Sequence, residues 1–168
     1  MPDWLTHVLA GYAAAKIIGT KLSSVKERET AIIVLGSLLP DGVKIGYIFE
    51  FFGVYLWDFL APLGTVTGAA LSSLLLSLLF KEERKAFALL LFGSMLHIFL
   101  DLFTMHATLP PPIFFPLSWA PYEIGLFRAD DCRITIAAVV LAALVYGLTN
   151  RSKTAEGKQS ALLLSFIF

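Results

Sequence analysis

The chain has one cysteine, Cys132, few charges and no region dominated by one sign. A single thiol excludes an intramolecular disulfide and a thiolate metal cluster, so any bound metal must be held by nitrogen and oxygen. Charged residues make up 15% of the 168 positions, well below the level of about a quarter usual in soluble domains. Thirteen basic and thirteen acidic side chains balance to zero net charge. The basic ones form no stripe of the kind that follows a phosphate backbone, so no nucleic-acid partner is expected. The opening Met1-Pro2-Asp3-Trp4 lacks the basic start and small-residue cleavage site of a secretory signal, and the first helix is expected to be retained.

What the chain has is apolar surface. Hydrophobic residues make up 57% of it, and its mean hydropathy is +0.77. A crossing takes roughly 20 residues, so this length suits an all-α, multi-pass membrane protein of about five helices. The expectation is one integral membrane domain over residues 1–168, placed in the cell membrane. Residues 150–168 then form a polar tail with a short apolar end. Lys21, Lys26 and Arg28 follow the first apolar segment, Lys81, Arg84 and Lys85 separate two others, and Arg151, Lys153 and Lys158 follow the last. By the positive-inside rule these three clusters face the cytoplasm and residues 106–133 lie outside. Trp4, Trp57 and Trp119 then fall towards the outer ends, as interface anchors do.

Along the chain, residues 4–19 read as a helix in which Leu5, Leu9, Tyr12 and Ile17 oppose a small face of Gly11, Ala14 and Ala15. The run from Thr30 to Leu39 is stopped by Pro40 and then Asp41-Gly42, a break inside an apolar region. Irregular backbone at that depth survives only where protein buries it or water lines it. A second helix is expected over Val43 to Leu60, partly interfacial, with spanning helices over 64–80, 86–103 and 134–148. The segment after Phe103, with five prolines among aromatic residues, reads as a cap over the helix ends.

Ala86 to Phe103 carries only two ionisable residues between its ends, His97 and Asp101, four apart and so on one helix face. Gly93 lies one turn earlier on the same stripe, leaving room for a close neighbour, a metal ion or water. In the expected topology His7, Asp41, His97 and Asp101 converge at one level, and His106 follows five residues after Asp101. Imidazole and carboxylate suit zinc and similar divalent cations, with manganese an alternative. An isolated charge at the bilayer centre costs about 2.5–3.5 kcal/mol on the mildest scale, so these groups are expected to be paired or to share a cation. Each also has a plain structural reading: His97 and Asp101 as polar links between helices, His7 as a solvated interface residue, Asp41 as a turn aspartate. Asp58 and Glu123 are weaker candidates, and Asp130-Asp131 reads as a solvated cap before the last helix.

Thr6-His7-x-x-x-Gly11, Gly36-Ser37-Leu38-Leu39-Pro40-Asp41 and Gly93-x-x-x-His97-x-x-x-Asp101, followed by Phe115-Pro116-Leu117, resemble the family of membrane-bound metal-dependent hydrolases, the LexA-binding, inner-membrane-associated hydrolases. The resemblance covers roughly residues 1–120. The order of His, Pro-Asp and His-x-x-x-Asp is also similar to that of the all-helical zinc-dependent phospholipase C and nuclease group. These likenesses imply a divalent metal held by His7, Asp41, His97 and Asp101, with His106 as spare ligand or acid-base group. They further imply hydrolysis of a phosphoester, such as a membrane lipid headgroup, by activated water.

The chain departs from the family pattern at two places. Gly42-Val43 stands where Asp-x-Asp would place a second carboxylate, and Gly68 stands where a histidine is expected. A member that keeps the fold without the chemistry, as a structural or partner-binding membrane protein, is the main alternative. A proton or ion pathway through the His and Asp residues is the second.

Overall fold

The computed structural model describes residues 4–22, 24–105, 110, 112–128 and 131–165, with the backbone alone at 47, 57, 58 and 151–165. His106 and Asp130 lie outside the described residues, and so do the side chains of Trp57 and Asp58.

The chain is mostly helical. Helix α1 spans Trp4–Lys21, α2 Glu27–Gly36, α3 Ile45–Phe51, α4 Trp57–Leu60, α5 Val66–Ser77, α6 Glu83–Leu102 and α7 Cys132–Ser165. A 3-10 turn, Pro40–Lys44, joins α2 to α3, and a second, Ala61–Gly64, leads into α5. The one strand pairing among the described residues is a two-residue parallel ladder. In it β1 (Thr104–Met105) pairs with β2 (Phe127–Arg128) and ties the proline-aromatic segment to the end of α6.

Several expected boundaries move. The break at Pro40-Asp41 is present, but α2 already stops at Gly36. The two sides of the break are bent by 45°. The helix expected over 43–60 is instead two short ones, separated where Gly53 adopts φ +78. Residues 64–80 yield only the 12-residue α5, about 18 Å long and well short of a bilayer core. Thr65 starts this helix late by accepting a hydrogen bond from Gly68 N at 3.1 Å. The last helix does not end near Leu148 but continues to Ser165, so the polar tail begins as helix. Two helical stretches, Glu83–Leu102 and Cys132–Asn150, are long and apolar enough to cross a membrane, or three if the bent pair is one span.

Ion pairs and close contacts give the helix directions. Lys85 Nζ reaches Glu29 Oε1 at 2.7 Å and Arg28 Nη1 reaches Glu82 Oε1 at 3.4 Å, so α2 and α6 start at the same end. Lys16 meets Glu27 there at 2.6 Å, so α1 finishes at that end and runs the opposite way. Thr6 Oγ1 lies 3.1 Å from Thr135 Oγ1, which makes α7 parallel to α1. Two of the basic clusters are thereby gathered at one end, and α7 heads towards it. The start of α1, the Pro40 turn and the end of α6 share the other.

The helices are small and polar inside, large and apolar outside. Ala15, Ala69, Leu90, Ser73 and Ser94 are fully buried, whereas Leu75 is 58% exposed and Leu144 59%. Small residues let backbones approach and hydroxyls bridge them. Ser94 Oγ donates to Gly36 O at 2.9 Å and lies 3.3 Å from Ser73 Oγ. At the α2–α6 crossing, a Cβ on Gly93 would fall on the Ile33 carbonyl oxygen and one on Gly36 on the Leu90 carbonyl oxygen. The space beside Gly93 is therefore taken by the α2 backbone, the first of the three occupants the sequence allows.

Candidate functional site

Four of the five residues singled out in the sequence come together at the end of the bundle away from the basic clusters. His7 enters from the first turns of α1, Asp41 from the Pro40 turn, and His97 and Asp101 from the last turns of α6. His7 and His97 stack, with ring centroids 3.7 Å apart and planes 16° from parallel. Asp101 spans both: its Oδ1 is 3.3 Å from His7 Nε2 and its Oδ2 is 3.2 Å from His97 Nε2. One ligand atom from each of these three residues lies within 4.8 Å of the others, a group that could hold a metal ion. Asp41 stands at its edge, with Oδ1 3.6 Å from His97 Nε2.

The orientation of His97 follows from Pro40. Helix α2 ends at Gly36, and the residue three beyond Ser37 is Pro40, which has no N–H to offer the Ser37 carbonyl. His97 Nδ1 lies 2.6 Å from that oxygen. A carbonyl only accepts, so Nδ1 carries the hydrogen and donates. Nε2 is left facing the carboxylates of Asp101 and Asp41. In the neutral ring Nε2 presents a lone pair to carboxylate lone pairs, and that arrangement requires a proton or a cation between them. An Nδ1–H bond to a backbone carbonyl is the usual means of orienting a metal-binding imidazole.

Burial sharpens the requirement. His7, His97 and Asp41 are almost wholly enclosed, at 1%, 2% and 4% exposure. Both nitrogens of His7, both carboxylate oxygens of Asp41 and Oδ1 of Asp101 have no hydrogen-bond partner among the described residues. Each such group costs about 1–3 kcal/mol, and charged ones more. Sequence reasoning missed one member, Lys44, whose Nζ lies 2.6 Å from Asp41 Oδ1 without hydrogen-bond alignment. Its Nζ is also 6.0 Å from the centroid of the Trp4 ring. The available signal was the spacing Asp41-x-x-Lys44, which one helical or 3-10 turn brings to the same side. Two carboxylates and one ammonium leave one negative charge uncompensated when both imidazoles are neutral.

Comparison with family models, curated proteins and solved structures finds no match for the chain. The family likeness thus rests on the motif residues alone.

Gly68 bears on the likeness directly. At the start of α5, a Cβ there would overlap the Pro62 carbonyl oxygen, with Leu63 Cα 3.0 Å away. A side chain is excluded by backbone, not by a movable neighbour. Gly68→His is therefore expected to lower the thermal unfolding midpoint without adding a metal ligand. A variant as stable as wild type with raised metal content would refute that reading of the backbone.

Proposed function

We propose that the protein is a membrane-bound, metal-dependent hydrolase acting on a phosphoester at the outer membrane face. His7, His97 and Asp101 would hold a divalent cation, zinc or alternatively manganese, with Asp41 completing the set from its edge. The observation that carries this reading is the His97 ring: its Nδ1 is committed to Ser37 O, and its Nε2 faces two carboxylates. Buried His7 beside it supports the same conclusion, since its Nε2 faces the carboxylate of Asp101 and its Nδ1 has no hydrogen-bond partner among the described residues. Three protein ligands with an open position is the count that catalytic zinc sites use. When bound, a divalent cation supplies Lewis acidity towards a phosphoryl oxygen and acidifies water. The chain's own part is to hold the ligands rigidly on α1 and α6, to exclude bulk water by burial, and to place the Asp41 carboxylate, paired with Lys44 through Oδ1, beside His97.

A membrane setting is supported by the large apolar side chains that cover α5, α6 and α7, and by the two stretches long enough to span. With the basic clusters in the cytoplasm, the site lies at the outer side. In a background carrying Cys132→Ser, which removes the exposed native thiol, Ser118→Cys is expected to label with an impermeant maleimide from outside. Ser152→Cys is expected to label only from inside. Labelling of both from the same side would sink the orientation.

The function itself is tested by elemental mass spectrometry of detergent-purified protein, followed by a screen of phosphoester substrates. About one equivalent of zinc or manganese with divalent-dependent turnover is expected, as for a single catalytic centre. Folded protein free of metal after incubation with divalent cations would favour a non-catalytic member. Gly68, which closes the place of an expected ligand, is the observation on that side.

A further inference from the structure

The Lys44–Asp41 pair lies at the mouth of the site. His7 and His97 side chains are 0% and 2% exposed and Asp41 3%, whereas Asp101 keeps 12% and Lys44 15%. Among these side chains Lys44 and Asp101 are the two that keep some contact with solvent. A carboxylate at that opening repels anions, so an anionic substrate needs positive charge on both sides of its path.

Lys44 neutralises Asp41 through a single contact, Nζ to Oδ1 at 2.6 Å. An ammonium has three donors. The 2.6 Å approach to Oδ1 leaves both Asp41 oxygens without an aligned hydrogen bond, although they are buried. The ammonium also lies over the Trp4 ring, 6.0 Å from its centroid, and its single short contact with Asp41 leaves N–H directions for another acceptor. Across the site stand the ligand atoms of His7, His97 and Asp101.

We infer that Lys44 is an oxyanion-binding residue of this site, which together with a cation held by His7, His97 and Asp101 forms two positive poles that clamp a phosphoryl group. The inference rests on the metal-centre reading and deepens it by naming the charge of the substrate at the reacting end. Paired positive groups of this kind are how proteins hold transferring phosphoryl groups, each contacting different oxygens. Asp41 then keeps the ammonium in place when no anion is bound. The shared chemistry is a phosphate monoester or inorganic phosphate, whether free or as the headgroup of a lipid.

The test uses the full chain in phosphatidylcholine nanodiscs, loaded with zinc, with the metal content of every sample measured. Inorganic phosphate binding is followed by calorimetry in wild type, Lys44→Gln and Lys44→Arg. Lys44→Gln is expected to keep its metal and lose at least about tenfold in phosphate affinity, with Lys44→Arg recovering most of it. Unchanged affinity in metal-loaded Lys44→Gln would overturn the inference while leaving the metal centre standing. Loss of metal in Lys44→Gln would also overturn it, by making Lys44 a positioning residue for Asp41. A wild type that takes up no metal would overturn the metal-centre reading, and the clamp with it.

A measurement on wild type alone guards against a variant that fails to fold. Lys16 is a matched control, since its ammonium is also 2.6 Å from a carboxylate and its side chain is 14% exposed. Phosphate should slow acetylation of Lys44 and not of Lys16, read by peptide mass spectrometry, and equal slowing would count against the inference. Adding phosphatidate to the nanodiscs separates the two sources. Protection of Lys44 by the lipid, undisturbed by soluble phosphate, assigns a headgroup, and the reverse assigns a free anion.

Discussion

His97→Ala is expected to strip the metal from the purified protein, lowering metal affinity by roughly 100-fold or more, since even a partner that only orients a ligand is worth about 10–100-fold. The imidazole supplies Nε2 at the centre of the cluster, 3.2 Å from Asp101 Oδ2 and 3.6 Å from Asp41 Oδ1. No neighbouring side chain among the described residues replaces it, because His7 is already in the group. The substitution also leaves the Ser37 carbonyl without the donor that meets it at 2.6 Å, a loss of about 1–3 kcal/mol of stability. The two effects separate the competing readings. If the cluster were only a polar link between helices, the stability loss would appear with no change in metal. Asp101→Asn, which keeps the volume and removes the charge, should lose metal with a smaller loss of stability. Retention of about one equivalent by both variants would end the metal-centre reading.

The second large effect is remote from the ligands. Gly93→Ala is expected to destabilise the protein by about 3 kcal/mol and to weaken metal binding with it, although Gly93 contributes no side chain to the site. Its added methyl group would fall on the Ile33 carbonyl oxygen, with Ser37 N only 2.7 Å away, so α2 and α6 must separate. Separation draws Ser37 away from His97, and the ring loses the bond that orients it. Gly36→Ala strains the same crossing from the other helix through Leu90. The two substitutions should therefore combine less than additively, because one displacement relieves both. Gly147→Ala is the control, since a methyl group there meets nothing within 4 Å. Thermal unfolding in detergent and metal content check the set, and a Gly93→Ala protein as stable as the Gly147→Ala one would refute the account.

The pattern of small, apolar and charged residues was enough to place the principal helices, and the reason is local. Helices α1, α6 and the apolar part of α7 coincide with long runs whose ends carry charge or proline. The Pro40 break was legible because proline acts on its own neighbours. Local signals were weakest at 43–60 and 64–80, where turns at Gly53 and Thr65 cut apolar runs that composition alone left continuous. The helix through 150–165 was missed for the opposite reason, since its polar composition looked like a tail.

For the candidate site, the spacing of His97 and Asp101 and the matching depth of His7 and Asp41 could be read directly from the chain, since helix geometry and charge placement determine them. Three features could not. That His97 donates to Ser37 is decided by backbone sixty residues away, whereas the Lys44–Asp41 pair and the closure of Gly68 follow from the two short 3-10 turns, which composition did not reveal. The chain by itself determined which candidate side chains, His7, Asp41, His97 and Asp101, lie together and at which end of the bundle. Only the packing of α2 against α6, made possible by two facing glycines, decided how the His97 ring points and what it faces. Ring orientation depends on contacts between segments some sixty residues apart, and no local preference encodes those.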